Sequence, residues 1–373
     1  MRYKTFQDLQ LSALGMGCMR LPLKGGNSEI DEEQTARMAA YAMTHGINYF
    51  DTAWGYHGGN SESVMGKILS AYPRDAYHLA SKFPGYDLAN MPKVQEIFAR
   101  QLERCQSEYF DFYLFHNVCE LNIDAYLNEE YGILDHLLKQ KEAGRIRHLG
   151  FSAHGSIPVM ERFLNAYGEH MEFCQIQLNY LDWSLQDAKG KVELLNARHI
   201  PIWVMEPLRG GKLCTLDEEA MSELQKLRPQ ESMSGWAFRF LQSIPGVTMI
   251  LSGMSDMQQL QENIETFADE QPLNEDEMKT LTGIGRRMST SVPCTACRYC
   301  IEHCPRSLDI PELIRLYNDM VYSDGSFSAR NAVNALPADK QPSACIGCGA
   351  CKKHCPQDLD IPAYMREMAQ YLQ

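Results

Sequence analysis

Residues 48–82 read NYFDTAWGYHGGNSESVMGKILSAYPRDAYHLASK, and this stretch decides how the rest of the chain is read. Short apolar runs at 48–52 and 77–82 flank an amphipathic pattern at 62–70. A strand, a helix and a second strand form the unit whose right-handed crossover brings parallel strands into one sheet. The two apolar runs end in polar residues, the first around Asp51 and the second on Lys82.

The alternation continues outward in both directions. Strand-like runs at 14–19, 112–116, 148–152, 173–178, 201–205 and 248–252 alternate with helical patterns at 32–45, 91–106, 133–143, 156–167, 187–197, 232–242 and 256–267. Eight strands and eight helices within roughly 250 residues fit an α/β chain folded as a (β/α)8 barrel, a TIM barrel, expected over residues 1–285. A doubly wound open sheet is the rival. It lacks the Gly-x-Gly-x-x-Gly turn after its first strand, for which Leu-Gly-Met-Gly-Cys-Met at 14–19 is a poor substitute.

In a barrel all strand C-termini face one mouth, so residues distant in sequence converge there. Asp51 lies at the end of the second strand, Tyr56 in the loop beyond it, Lys82 at the end of the third and His116 at the end of the fourth. Each has a plain structural alternative as a turn cap, a packed ring, a snorkelling amine or a hydrogen-bonded wall residue. Together their chemistry is coherent. An ammonium at Lys82, oriented by Asp51, is expected to lower the Tyr56 pKa, while His116 directs a carbonyl to be protonated as hydride reaches carbon.

Eight of the 13 cysteines fall into two runs, Cys294, Cys297, Cys300 and Cys304-Pro305, then Cys345, Cys348, Cys351 and Cys355-Pro356. Zinc sites use two separated pairs, whereas thiolates at every third position followed by a fourth and a proline suit a four-iron four-sulfur cubane. The other five (Cys18, Cys105, Cys119, Cys174, Cys214) read as ordinary thiols of a reducing compartment. Helical patterns at 311–322, 328–336 and 361–372, two of them opened by Asp-Ile-Pro, make 286–373 a mostly helical second domain. Residues 271–291 read as a polar helix and linker before it.

The composition is that of a soluble protein: 373 residues, 45% hydrophobic and 22% charged, with a formal net charge of -13. That charge, without a basic block, argues against nucleic-acid partners. No run of 18 apolar residues occurs and the first residues lack a signal-peptide apolar region, so a cytoplasmic location without membrane insertion is expected.

The motifs at 14–22, 48–66 with Glu62 and Gly66, 81–82, 111–116, 150–152 (Gly-Phe-Ser) and 207–213 (Pro-Leu-Arg-Gly-Gly-Lys-Leu) together resemble the aldo-keto reductase family. The resemblance implies a nicotinamide-dependent carbonyl reductase or alcohol dehydrogenase with Asp51, Tyr56, Lys82 and His116 as its catalytic four. It implies a carboxamide clamp at Ser152 and Gln175, with Ala153 where the family has Asn and His154 near enough to compensate. Met205 stands where an aromatic ring commonly stacks on the nicotinamide, and the loop of Pro207, Leu208, Gly210, Gly211, Lys212 and Leu213 would cover the pyrophosphate. Gly253 and Gln259 replace the phosphate-reading cations, leaving NADP or NAD as the cofactor, and Glu262 and Asn263 would hold adenine. The cysteine runs resemble a two-cluster ferredoxin-like domain. That resemblance implies crossed ligation, with Cys294, Cys297, Cys300 and Cys355 on one cluster and Cys345, Cys348, Cys351 and Cys304 on the other.

Three functions follow as expectations. The first is reduction of a small-molecule carbonyl, or oxidation of an alcohol. The second is electron transfer between a redox protein partner and an organic cofactor or substrate. The third is a catalytically inactive scaffold.

Overall fold

A computed structural model of the protein describes residues 1–25, 29–289, 291–323 and 325–372. Strands β1 (Tyr3–Phe6) and β2 (Leu9–Ser12) pair as an antiparallel hairpin. Then come β3 (Leu14–Gly17), β4 (Tyr49–Asp51), β5 (His78–Phe83), β6 (Phe110–Val118), β7 (Ile146–Ala153), β8 (Cys174–Gln177), β9 (Ile202–Met205) and β10 (Val247–Ser252). These last eight are parallel and close on themselves, β10 pairing with both β9 and β3.

Period-two alternation sends Tyr49, Ala80, Phe112, Leu114, Phe173, Trp203, Met249 and Leu251 into one buried cluster at the barrel centre. Space there is made by glycine. A Cβ on Gly150 would stand 2.5 Å from the Phe173 ring, and one on Gly15 would stand 2.7 Å from Leu251. The hairpin turns Phe6 into the same cluster, edge-on to Trp203 at 5.0 Å and to His148 at 5.1 Å, and so plugs the end opposite the mouth.

The expected strands and helices are present, with informative differences. The hairpin was not anticipated, nor was a helix at Glu218–Leu227. The expected 91–106 helix divides into a 3₁₀ segment, Leu88–Lys93, and an α-helix, Val94–Arg104; Pro92 lies in the 3₁₀ turns. The helix expected within 271–291 is present as Glu275–Met288, opened by a capping box between Asn274 and Glu277. It buries Leu281, Ile284 and Gly285 on the barrel, and Thr290 beyond it lies outside the described residues.

The C-terminal region packs helices Ile310–Ser323, Phe327–Asn334 and Ile361–Tyr371 around a second core of Leu313, Ile314, Met320, Val333, Met365 and Met368. Its two halves repeat one backbone. Ala296, Arg298 and Ser307 have positive φ, and so do their counterparts Gly347, Gly349 and Asp358.

The two cores meet at an ionic junction. Arg209, in the loop after β9, is buried between Asp182 of the barrel and Asp319 of helix Ile310–Ser323, and donates to Ser323 Oγ at 2.5 Å. Gln186 Nε2 donates to Asp319 at 2.8 Å, and Arg315 donates to the Leu185 carbonyl at 2.7 Å.

Candidate active site

Lys82 is the centre of the barrel mouth. Its Nζ donates to Asp51 Oδ1 at 2.5 Å and to the Thr52 carbonyl at 2.8 Å, and lies 3.4 Å from the Tyr56 hydroxyl. Parallel pairing of β4 with β5 brings Asp51 and Lys82 together, and their side chains are 4% and 1% exposed. The turn Tyr56–Gly59, with positive φ at His57, Gly58 and Gly59, swings Tyr56 back over the strand ends. His116 of β6 stands edge-on to it, ring centroids 6.1 Å apart.

A buried network holds this arrangement from behind. Fully buried Glu62 accepts from Ser81 Oγ and from Gln101 Nε2, each at 2.6 Å. Gln101 also donates to the Lys82 carbonyl at 3.0 Å. Helix Ser61–Leu69 must lie close for this, and Gly66 permits it: a Cβ there would be 2.5 Å from the Arg104 carbonyl oxygen.

Burial dominates the protonation of the site. It pushes the Tyr56 phenol up to about 12, and the pull of Lys82 in the other direction only partly offsets it. The expected lowering by an ammonium is therefore present as an influence but outweighed. Burial works against the charge on Lys82, yet Asp51 and Tyr56 outweigh it and raise its pKa, so the amine stays an ammonium. Burial, Lys82 and His154 hold His116 well below the usual imidazole range, leaving it neutral.

The residues expected to hold a dinucleotide occupy the same mouth or its rim. Ser152 is buried and its Oγ accepts from the Asn117 N–H at 2.8 Å. Ser152 and Gln175 are register partners on β7 and β8, and Gln175 Oε1 is buried without a protein partner. Met205 ends β9, half-buried. In the following loop Pro207 and Leu213 are buried and Leu208 is half-buried, while Gly210 and Gly211 are exposed at φ 66° and 91°. Lys212 Nζ donates to the Tyr322 carbonyl at 2.8 Å. A Cβ on Gly253 or Gly210 would stand 3.0 Å from Arg20, so this cation lies between the two loops. Gln259 is occupied in capping, accepting from Ser255 N–H and donating to Asp256, each at 2.9 Å. Glu262 accepts from Gln258 at 2.8 Å, and buried Asn263 donates to Ser252 Oγ at 3.2 Å. His154 Nδ1 lies 3.1 Å from Ser328 Oγ of the C-terminal region.

The eight clustered cysteines line two recesses. One is bordered by Cys294, Cys297, Cys300 and Cys355. The other is bordered by Cys304, Cys345, Cys348 and Cys351. In each, three thiols come from one run and the fourth from the other.

Residues 13–286 match the aldo/keto reductase family and residues 293–359 match the 4Fe-4S dicluster domain. The chain belongs to the aldo/keto reductase family. This aldo/keto reductase is an oxidoreductase carrying a C-terminal 4Fe-4S domain, as its matched regions and relatives indicate. It is 26% identical over 309 residues to the uncharacterized oxidoreductase YqkF of Bacillus subtilis, covering 74% of this chain and 92% of that protein. It is 26% identical over 226 residues to the NADH-specific methylglyoxal reductase of Escherichia coli, covering 55% and 66%. In fold it is similar to an aldo-keto reductase of Bacillus halodurans in its holo form, with TM-score 0.63 at 23% identity, covering 76% and 96%. A Klebsiella pneumoniae aldo-keto reductase solved with NADPH gives TM-score 0.60 at 19% identity, covering 76% and 95%. Among the described residues, no helix of this aldo/keto reductase is long and apolar enough to cross a membrane.

Sequence reading missed the junction residues Asp182, Arg209 and Asp319, and the contact of Ser328 with His154. None carries a local pattern, because each gains its meaning from a partner more than 25 residues away.

Proposed function

We propose that this protein reduces a small carbonyl compound to an alcohol, or the reverse, with NADP(H) or NAD(H) as coenzyme and Tyr56 as the acid. The observation that carries this reading is the Lys82 ammonium within 3.4 Å of the Tyr56 hydroxyl and hydrogen-bonded to Asp51. A nicotinamide coenzyme supplies the hydride when bound. Neutral His116 donates a hydrogen bond to the substrate oxygen and fixes its direction. The Tyr56 hydroxyl passes its proton to that oxygen, and Lys82 stabilises the phenolate left behind.

The orphaned Gln175 Oε1 suits the amide N–H of a nicotinamide carboxamide, and the Ser152 hydroxyl beside it has its proton free to donate. Coenzymes of both kinds occur among the relatives, NADH in the printed name of the Escherichia coli protein and NADPH in the Klebsiella structure. The C-terminal domain, on this reading, carries two 4Fe-4S clusters ligated crosswise, a grouping favoured by the two recesses. They would serve one-electron exchange with a redox protein.

Tyr56→Phe tests the proposal. The expected result is a fall in kcat/KM of about 10²–10⁴ with coenzyme affinity and cluster absorbance unchanged. Undiminished turnover by the Phe variant would remove Tyr56 from the role.

A further inference from the structure

The C-terminal domain reaches the barrel mouth itself. Helix Phe327–Asn334 starts beside the end of β7, where Ser328 Oγ meets His154 Nδ1 at 3.1 Å and the Phe327 ring stands edge-on to the His154 ring at 6.4 Å. The start of this helix is fixed to the barrel through charge. Ser326 caps it, accepting from the Ala329 N–H, and donates to Asp319 at 3.0 Å, the same carboxylate that pairs with Arg209. Phe327 takes no part in the core of its own domain and is 58% exposed.

A second ring matches it on the neighbouring part of the rim. Tyr86, in the loop after β5, is 40% exposed and stands edge-on to His116 at 5.2 Å. It leans across the turn that carries Tyr56, since a Cβ on Gly55 would be 2.3 Å from its hydroxyl. The rim thus runs Tyr56, Tyr86, His116, His154, Phe327, with β6 and β7 as hydrogen-bonded neighbours beneath the two histidines. An aromatic ring left half in water beside a reaction centre gains when an apolar surface covers it.

We propose that Phe327 is a specificity-determining residue of the barrel site, forming with Tyr86 an aromatic rim that selects carbonyl compounds bearing an aromatic or bulky apolar group. The inference rests on the carbonyl-reductase reading and deepens it by naming the substrate class. It makes the C-terminal domain a structural part of the substrate site.

The test compares benzaldehyde with propanal, on the full-length holoprotein, in Phe327→Ala and Phe327→Leu. Ligand-observed NMR titration reads binding, and NADH or NADPH oxidation reads turnover. The expected result is about tenfold weaker benzaldehyde binding in Phe327→Ala, an intermediate loss in Phe327→Leu, and propanal binding within about twofold of the parent. Coenzyme affinity and cluster absorbance stay unchanged, which separates rim loss from misfolding. Benzaldehyde binding equally to parent and Phe327→Ala, losing no more than propanal does, or not binding the parent at all would overturn the inference. If binding discriminates as expected while neither aldehyde is turned over, the Phe327 assignment stands and the carbonyl-reductase reading falls.

Discussion

In the barrel, the groups around Lys82 come from β4, β5, β6 and the turn after β4, so their meeting depends on a sheet closing over more than sixty residues of chain. In the C-terminal domain, three of every four thiols lie within one short run, and only the fourth must be brought from the other half. The barrel site is a product of long-range packing, and its chemistry is set by burial. The cysteine sites are mostly local, and only their crossing depends on the fold. A mutation in the first region therefore acts through its surroundings, while in the second it acts through donor count.

The largest effect that would sharpen this contrast is expected for Cys304→Ala. With crossed ligation it should lose the same cluster as Cys348→Ala, about four irons per chain, while Cys297→Ala loses the other. Iron analysis with electron paramagnetic resonance of the surviving cluster distinguishes them. Cys304→Ala matching Cys297→Ala would show that each run serves its own cluster.

The junction between the regions comes next. Arg209→Met leaves Asp182 and Asp319 buried without their cation, a loss of about 3–5 kcal/mol. Calorimetry should show a lowered transition for the C-terminal domain, separating from that of the barrel. A single unshifted transition would mean that the two regions are held together by something other than this triad.

A smaller effect belongs to the closed end of the barrel. Burial works against charge on Glu172, but His148, Lys141, the Leu149 N–H and Gln7 together hold its carboxyl down at about 2. A depressed folded pKa contributes stability above the ordinary value near 4.5 that disappears as pH falls toward 2. Glu172→Gln should lower Tm by about 3–6 °C at pH 7, with the difference closing below pH 4.5. All four tryptophans lie in the barrel, so their fluorescence follows this transition alone. A difference independent of pH would assign the loss to packing.

These contrasts also explain what the sequence could disclose. Strand runs ending in Asp51, Lys82 and His116 are legible because a period of two and a terminal polar residue are local facts. The cysteine runs are legible for the same reason. The helix at Glu275–Met288 was legible as a helix, but its polar composition masked the narrow apolar stripe through Leu281 and Ile284 that packs it on the barrel. The Tyr56 protonation was misjudged because the neighbour, Lys82, could be inferred while the depth of burial could not. Arg209 sat in a loop assigned to phosphate, and no spacing rule links it to Asp319 across the domain boundary.

The hairpin that places Phe6 beneath Trp203 and Phe173 has a kinetic meaning. The side chains packed through the barrel centre already close its interior, and Phe6 completes that packing from below, so a ligand reaching Lys82 would enter from the mouth. A coenzyme lying deep against Gln175 and Ser152 would be sealed in by a substrate resting on the aromatic rim. Binding in the order coenzyme then substrate would follow from that single approach, with the floor acting only as a fixed base.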